Sequence, residues 1–445
     1  MKKILFFFCV IIIFSNGLLA QWIQQASGFP TASRGIWNIS IVDQNIAWAS
    51  AYDGSGLGDK VQDFTRTING GGLWQAGTVT PAAGLECSEL FAVSDLIAYA
   101  LFWGNTSGGQ AVFKTVDGGA TWVNQPTALF SGSAAFPNII YFWDANNGIC
   151  LGDPNGGYME IYTTTDGGTN WVRTPSANIP AIITGEYGYN GGNTYDVIGD
   201  TIWFGTNKGR VYRSTDRGLN WTVATTGLSE VSRLVFKDHL NGLAIYVPSN
   251  NSAPTLKRTT DGGTVWTSVN YTGPLYSNGI AYASGNIGYY VSTGANINAA
   301  YGSSYSLDDG NTWVTIDTLI QHTAVAFLDN ATGYSGGFNN DQFSNGIFKW
   351  TGISVNINDN HNFSPDIIVF PNPSYGNFTI TFSKGNAETS TIKILDITGK
   401  EIKSVKIDAL TPKALLVDIS SCSSGLYLIE ISTKNTTLTK KIFKK

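Results

Sequence analysis

Five acidic side chains stand in short, irregular stretches of this 445-residue chain: Asp53, Asp59, Asp153, Glu186 and Asp341. Two carboxyl groups about 5 to 9.5 Å apart across a cleft form the working pair of a glycosidase, one protonating the leaving group and the other acting as nucleophile or base. Aromatic rings lie in the same kind of stretch. Trp103 falls in LFWGNTSGGQ, Tyr187 and Tyr189 in EYGYNGGNTY with Glu186, and Asp341 in GGFNNDQFSNG. Rings beside Asn, Asp and Gln suit carbohydrate or peptide contacts, through stacking plus directional hydrogen bonds. The expected ligand contacts are therefore Trp103, Glu186, Tyr187, Tyr189 and Asp341, with half-buried packing as the competing reading of the rings.

Other chemistries find little support. The histidines His239, His322 and His361 have no metal-ligand spacing, and no metal or cofactor is expected. Removal of a leader would leave Cys87, Cys150 and Cys422, an odd and scattered set that reads as small buried hydrophobes rather than a disulfide framework. A D-x-N-x-G run at Asp144 has a faint look of a calcium loop, yet DHLNG at Asp238 and DNATG at Asp329 hold the same place, so a repeated turn explains it better.

A second set of acids is periodic. TVDGGATW, TTDGGTNW, STDRGLNW, TTDGGTVW and SLDDGNTW carry Asp117, Asp166, Asp216, Asp261 and Asp308, and TINGGGLW carries Asn69 in the same place. The boxes close on Trp74, Trp122, Trp171, Trp221, Trp266 and Trp313, at intervals of 48, 49, 50, 45 and 47 residues. Five equivalent copies argue for architecture: the aspartate accepts backbone N–H bonds of its own turn, the glycines supply positive φ, and the tryptophan covers apolar surface between sheets. Between boxes the chain reads as short β-rich runs broken by Asp/Asn/Gly turns, four strands per repeat, which is the content of a propeller blade.

The ends of the array complete it. WIQQASGFP at Trp22 has the character of a post-box strand, and GIFKWTG (346–352) breaks off where a box should follow. Pairing the Trp22 strand with the segment around Phe348 closes a ring of seven blades and removes an open sheet edge. The boxes resemble the Asp-box (BNR) repeat, S/T-x-D-x-G-x-T/N-W, of sialidases, sortilin-type domains, some glucanases and photosystem II assembly-factor-like propellers. That resemblance covers about residues 22–352 and implies fold rather than activity. A sialidase would need an arginine cluster to clamp the substrate carboxylate. Arg66, Arg213, Arg258 and Lys114 sit just before boxes and belong to the repeat, and Arg173, Arg210 and Arg217 lie in blade strands or box turns, leaving only Arg34 and Arg233 between blades, so sialidase is disfavoured.

Residues 1–20, MKKILFFFCVIIIFSNGLLA, read as a secretory signal, and no later segment is apolar enough to span a membrane. Residues 353–365 read as a linker. Residues 21–365 hold 14 basic and 25 acidic side chains, whereas 366–445 hold 11 lysines and 7 acids, an acidic body on a basic tail that argues against nucleic-acid binding. The tail runs IVFPNPSYGNFTI with Pro371, Asn372 and Pro373, IKILDITGKEI with Asp396 and Gly399, SSGLYLIEI with Gly425 and Tyr427, then TKKIFKK. These short strands are enough for a small Ig-like β-sandwich. The ordered motifs closely resemble the type A C-terminal sorting domain of the type IX secretion system of Bacteroidetes. The resemblance implies export across the outer membrane, recognition by the secretion machinery and removal by its sortase.

The sequence thus predicts an all-β protein, a seven-bladed β-propeller closed by an N-terminal strand plus a C-terminal sandwich. Its expected role is that of a secreted, non-catalytic glycan-binding or adhesion module, with an extracellular glycosidase as the alternative.

Overall fold

The computed structural model describes residues 21–104, 111–125, 130, 136–249, 252–296, 301–352, 367–382, 390–396, 399–407, 414–432 and 437–445. The leader, the linker and the end of the LFWGNTSGGQ stretch lie outside them. The described residues are strands, turns and two single-turn 3₁₀ helices, with no α-helix among them. Two compact units divide the chain near residue 354.

The first unit is a succession of antiparallel sheets in chain order. Five have four strands each, spanning Glu86–Asn124, Pro137–Arg173, Tyr195–Thr225, Arg233–Val269 and Gly279–Asp317. An eight-stranded sheet joins the two ends of the unit. Its first half holds Arg34–Ile41, Ala47–Asp53, Asp63–Thr67 and Gln75–Thr78; its second holds Val325–Phe327, Gly333–Asp341, Ser344–Trp350 and Trp22–Ala26. One pairing, Gly35 opposite Phe338, connects the halves. The first strands of successive sheets neighbour one another, Pro137–Phe142 and Tyr195–Ile198 through the packing of Ile139 and Tyr141 with Tyr195 and Val197, and Arg34–Ile41 also neighbours Val325–Phe327, so the sheets stand in a propeller-like ring.

Two turn chemistries explain why the chain reverses where it does. Between the first and second strands, Asp43, Asp144, Asp238 and Asp329 each accept two backbone N–H bonds from the residues just ahead, 2.7 to 2.9 Å. Between the third and fourth lies the box. Asp166 Oδ1 accepts from Asn170 N at 2.9 Å and from Thr164 Oγ1 at 2.9 Å, while Gly168 N donates to Thr164 Oγ1 at 3.0 Å. Gly167 and Gly168 take φ of 68° and 81°, a region that costs glycine nothing. Asp117, Asp216, Asp261 and Asp308 repeat the pattern, and Asn69 does so with an amide oxygen.

Each box tryptophan is buried against the preceding sheet. Trp122 packs with Trp48 and Phe64, Trp171 with Tyr99 and Leu101, Trp221 with Ile149 and Ile161, Trp266 with Trp203, Trp313 with Leu243, and Trp74 with Tyr334. The core is therefore a series of interfaces between sheets. Cations add a second tie: Lys114 Nζ donates to Gly167 O at 2.6 Å in the next sheet's box, and Lys349 Nζ to Gly70 O at 2.6 Å in the box of the other half of the eight-stranded sheet.

The N-terminal strand pairs with Ser344–Trp350 in the register Trp22–Trp350, Gln24–Phe348, Ala26–Gly346. Trp22 packs on Tyr289 and Val291 of the preceding sheet, as the box tryptophans do on theirs. Its Nε1 donates to Ser303 Oγ at 2.9 Å, and Ser303 in turn bonds Asp317, which meets His322 Nε2 at 3.0 Å. His322 Nδ1 reaches Ser335 Oγ at 2.6 Å. This clasp joins the start of the chain to strands some 300 residues away.

The second unit pairs a three-stranded sheet (Ile367–Phe370, Asn377–Phe382, Ala414–Asp418) with a four-stranded one (Glu401–Ile407, Ser390–Asp396, Gly425–Ser432, Thr437–Lys444) over one core that includes Phe378, Ile392, Ile429 and Ile442. Its sequence motifs are turns and ties. Asn372, between Pro371 and Pro373, accepts from Phe443 N at 3.0 Å and donates to Lys441 O at 2.9 Å. Asp396 accepts from the backbone of Gly399 and Lys400, and Tyr427 OH, two residues past Gly425, donates to Ser423 O at 2.7 Å.

Trp22→Ala empties a fully packed indole site at the closure and is expected to cost about 3–5 kcal/mol. Urea unfolding followed by circular dichroism tests this, and an unchanged midpoint would reject the clasp as a source of stability.

Candidate functional site

Because neighbouring strands are antiparallel, the box turns and the Asp43-type turns share one face of the ring, and all other connections share the opposite one. Asp53, Asp59, Trp103, Asp153, Glu186, Tyr187, Tyr189 and Asp341 fall on that second, loop-bearing face. The connections of that face vary widely in length, whereas the box face carries short turns throughout.

The stretch containing Glu186 does something its sequence does not suggest: it crosses the mouth of the central opening. Gly188 pairs with Thr206 and lies against Asn138; Gly191 packs on Trp37, where a Cβ would sit 2.8 Å from the indole. Asn193, at φ 67°, accepts from Ile280 N at 3.2 Å and donates to Val325 O at 3.3 Å, while its own carbonyl accepts from Leu234 N at 2.8 Å. Six residues, 188–193, thus touch five other first strands or their starts. The crossing is anchored by Glu186, whose carboxylate is buried on Arg210 Nη1 at 2.9 Å and also accepts from Thr206 Oγ1 at 2.8 Å and Ile183 N at 3.1 Å. Glu186 is spent on this anchor.

The other acids are also placed by their partners. Asp53 pairs with Arg34 at 3.6 Å and caps its own loop, accepting from Ser55 and Gly58; its carboxyl is held at about 2, chiefly by the Ser55 hydroxyl. Asp59 is exposed and meets Asp53 only through its backbone N–H, at 3.2 Å. Asp341 closes the Phe343–Ser344 turn at 2.8 and 3.0 Å. Asp153 differs: burial pushes its carboxyl up to about 6 despite a 2.7 Å bond from Asn138 Nδ2. Trp103 is half-buried, edge-on to Phe136 at 5.3 Å with Lys60 Nζ 5.8 Å from its ring centre. Tyr187 is 44% exposed, and Tyr189 meets it edge-on at 5.7 Å.

Tyr189 turns toward a cleft of about 550 Å³ between the Arg233–Val269 and Gly279–Asp317 sheets, lined also by Glu230, Arg233, Tyr271, Tyr276 and Asn278. Tyr189 OH donates to Glu230 Oε2 at 2.7 Å and Ser232 Oγ to Oε1 at 2.8 Å. Arg233 donates through Nε to Asn278 O at 2.7 Å and through Nη1 to Ser232 O at 2.6 Å. The cleft thus brings aromatic rings together with a carboxylate and a guanidinium. Only Tyr189 of this group was picked out by the sequence as a contact, and Arg233 as an arginine outside the repeat.

Below the crossing, the central opening holds buried acids that sequence reasoning missed. Glu89 accepts from Asn38 Nδ2 at 2.9 Å and Tyr195 OH at 3.4 Å, its Oε2 makes no hydrogen bond among the described residues, and burial pushes it well above the usual carboxylate range. Asp196 accepts from Phe236 and Val197 N–H, yet burial raises it to about 7. Ser335, His322 and Asp317 have the composition of a hydrolytic triad, but His322 and Ser335 are fully buried and serve the clasp. Among the described residues no group of three His, Cys, Asp or Glu is arranged to hold a metal ion, and no helix is long and apolar enough to cross a membrane. Cys87, Cys150 and Cys422 are free thiols.

Residues 368–445 match the secretion system C-terminal sorting domain, the module of proteins carried across the outer membrane by the type IX system. The chain is thus secreted across the outer membrane. No curated protein matches the sequence. Among solved structures, YCF48 bound to D1 peptide superposes with a TM-score of 0.52 at 15% identity, covering 75% of this chain and 97% of that one. YCF48 from Cyanidioschyzon merolae gives 0.50 at 15%, covering 75% and 99%. At this identity the likeness shows a shared β-propeller fold.

Two predictions follow from these geometries. Glu186→Gln leaves Arg210 buried without its counter-charge and is expected to destabilise the first unit by about 3–5 kcal/mol, while Glu186→Leu with Arg210→Met recovers most of the loss; equal loss in both would show that the ion pair is not the anchor. The second concerns pH. Asp117 is held at about 2, first by the Thr121 hydroxyl, and Asp166 and Asp261 are lowered, first by backbone N–H bonds from Asn170 and Val265. Depressed carboxyls contribute stability that is complete above the unfolded value of about 4 and lost as pH falls through the folded one. Asp153 and Asp196 have the opposite sign: their contribution is complete below about 4 and is lost as pH rises through about 6 and 7. Melting temperature of the full chain is therefore expected to peak between about pH 4 and 6, and a monotonic rise to pH 8 would contradict it.

Proposed function

We propose that this chain is a type IX cargo whose propeller is a non-catalytic binding module for an extracellular glycan, engaged on the loop-bearing face. The fold reading behind it takes the eight-stranded sheet as two blades joined at Gly35 and Phe338, which with the five separate sheets makes seven. Its box turns belong, in this reading, to the Asp-box (BNR) repeat. The C-terminal unit is an Ig-like sandwich that the secretion machinery recognises and its sortase removes.

The cleft carries the functional reading. It is concave, large enough for a small ligand, and combines the rings of Tyr189 and Tyr271 with a carboxylate, a guanidinium and an amide at its floor. Flat rings stack on pyranose faces while the polar groups select among hydroxyls. Trp103 and Tyr187, the other ring candidates, lie on the same face. The acids proposed as a catalytic pair support binding better than turnover, because Asp53, Glu186 and Asp341 are committed to internal partners. One observation favours the enzyme alternative: Asp153 at about 6 is suited to a general acid.

The test is retention of the full chain on a panel of immobilised polysaccharides, with new reducing ends measured in the same tubes. The expected result is retention without cleavage. Reducing ends that vanish in Asp153→Asn while retention persists would replace this reading with a glycosidase. A peptide array is the comparison arm, since YCF48 was solved with a peptide bound.

A further inference from the structure

We propose that Arg233 makes the Tyr189–Tyr271 cleft selective for carboxylate-bearing sugars, that is, uronic-acid residues of an acidic polysaccharide. The inference rests on the glycan reading of this cleft and names its substrate class.

Arg233 is the exception among the arginines that are at least partly buried at the loop-face ends of their strands; the exposed Arg173 also lacks an ion pair and donates to Asn155 O at 2.9 Å. Arg34 pairs with Asp53 and Asp63, and Arg210 with Glu186. Arg233 makes no ion pair among the described residues. Its Nε and Nη1 are fixed on two neutral carbonyls, Asn278 O and Ser232 O, which come from the two sheets that wall the cleft. Those bonds set the plane of the guanidinium and leave Nη2 without a hydrogen bond among the described residues. Burial lowers the group from 12.5 to about 10, so the charge is sheltered and lacks a full counter-ion. An arriving carboxylate supplies one, through the fork of N–H donors that suits a planar anion.

Glu230 does not fill that role. Both of its oxygens already accept from Tyr189 OH and Ser232 Oγ, which holds it to the Tyr189 side of the cleft. Its remaining lone pairs are positioned for sugar hydroxyls. Tyr271, locked by its OH on Pro254 O at 2.7 Å, offers a fixed ring for stacking. The backbone here is occupied: Ser232 N bonds Ile245 O, Asn278 N bonds Thr293 O and Tyr276 N bonds Ser292 Oγ. These three N–H groups are therefore not free to take a peptide by strand addition, and recognition around Arg233 falls to side chains.

The experiment measures affinity of the full chain for an oligogalacturonide and for its methyl ester, which keeps the ring and removes the charge. The acid is expected to bind about tenfold or more tightly than the ester, a difference erased in Arg233→Gln. Acid and ester binding alike, or discrimination that survives in Arg233→Gln, would overturn the inference while leaving the glycan reading in place. No binding to either, or to any polysaccharide of the panel, would overturn both, as would capture of an acidic peptide instead. The ester comparison needs no variant, so the inference stays testable if Arg233→Gln does not fold.

Discussion

Every sheet of the first unit borrows its inner cover from the next one along the chain, because each box tryptophan is buried on the sheet before its own. Such an array has no natural end. A sheet without a successor exposes an apolar face, and a sheet without a fourth strand exposes an edge. The N-terminal strand answers both needs at once. Trp22 covers Tyr289 and Val291, its backbone completes the edge of Ser344–Trp350, and its indole N–H enters the Ser303–Asp317–His322–Ser335 chain. The positions of the loop face follow from that closure, since first strands can face a common opening only when the ring is complete.

A ring of first strands leaves a gap at its centre, and the Glu186–Thr194 stretch covers one mouth of it. Glycines at 188, 191 and 192 let the backbone lie against Asn138, Trp37 and Asn38. Asn193 then satisfies strands on the far side. Tyr187 and Tyr189 owe their positions on the loop face to the same crossing that Glu186 and Arg210 hold down, which on the proposed reading would link function to stability. It also explains the two raised acids beneath. Glu89 and Asp196 have N–H and O–H partners but no cation among the described residues, and burial without a counter-charge favours their neutral forms.

What the sequence made legible was local. The box works within seven residues, so its aspartate, glycines and tryptophan announced both the turn and the period, and the strand at Trp22 could be matched by character to its post-box equivalents. The sorting unit was legible for the same reason, since Asn372, Asp396 and Tyr427 act on turns and neighbouring strands. The crossing was not, because nothing in EYGYNGGNTY says that five distant strands will surround it. Glu186 therefore looked like a free acid, and the partnership of His322 with Asp317 and Ser335 lay hidden in ring geometry. Arg233 was visible as an arginine outside the repeat. Its missing counter-ion needed coordinates.

The charge of the first unit sharpens what kind of recognition is available to it. With 24 acids against 14 bases over residues 21–354, its long-range field repels polyanions, and diffuse adhesion to an acidic polymer is disfavoured. Any such ligand must be held at a point where the local field is reversed and water is partly excluded. Arg233 meets that condition because its two fixed bonds go to neutral carbonyls, which orient the guanidinium without cancelling its charge. On the proposed reading the repelling surroundings would act as a filter: a polymer with no uronate correctly seated would gain nothing from the rest of the face, so selectivity would come from the same imbalance that lowers general affinity.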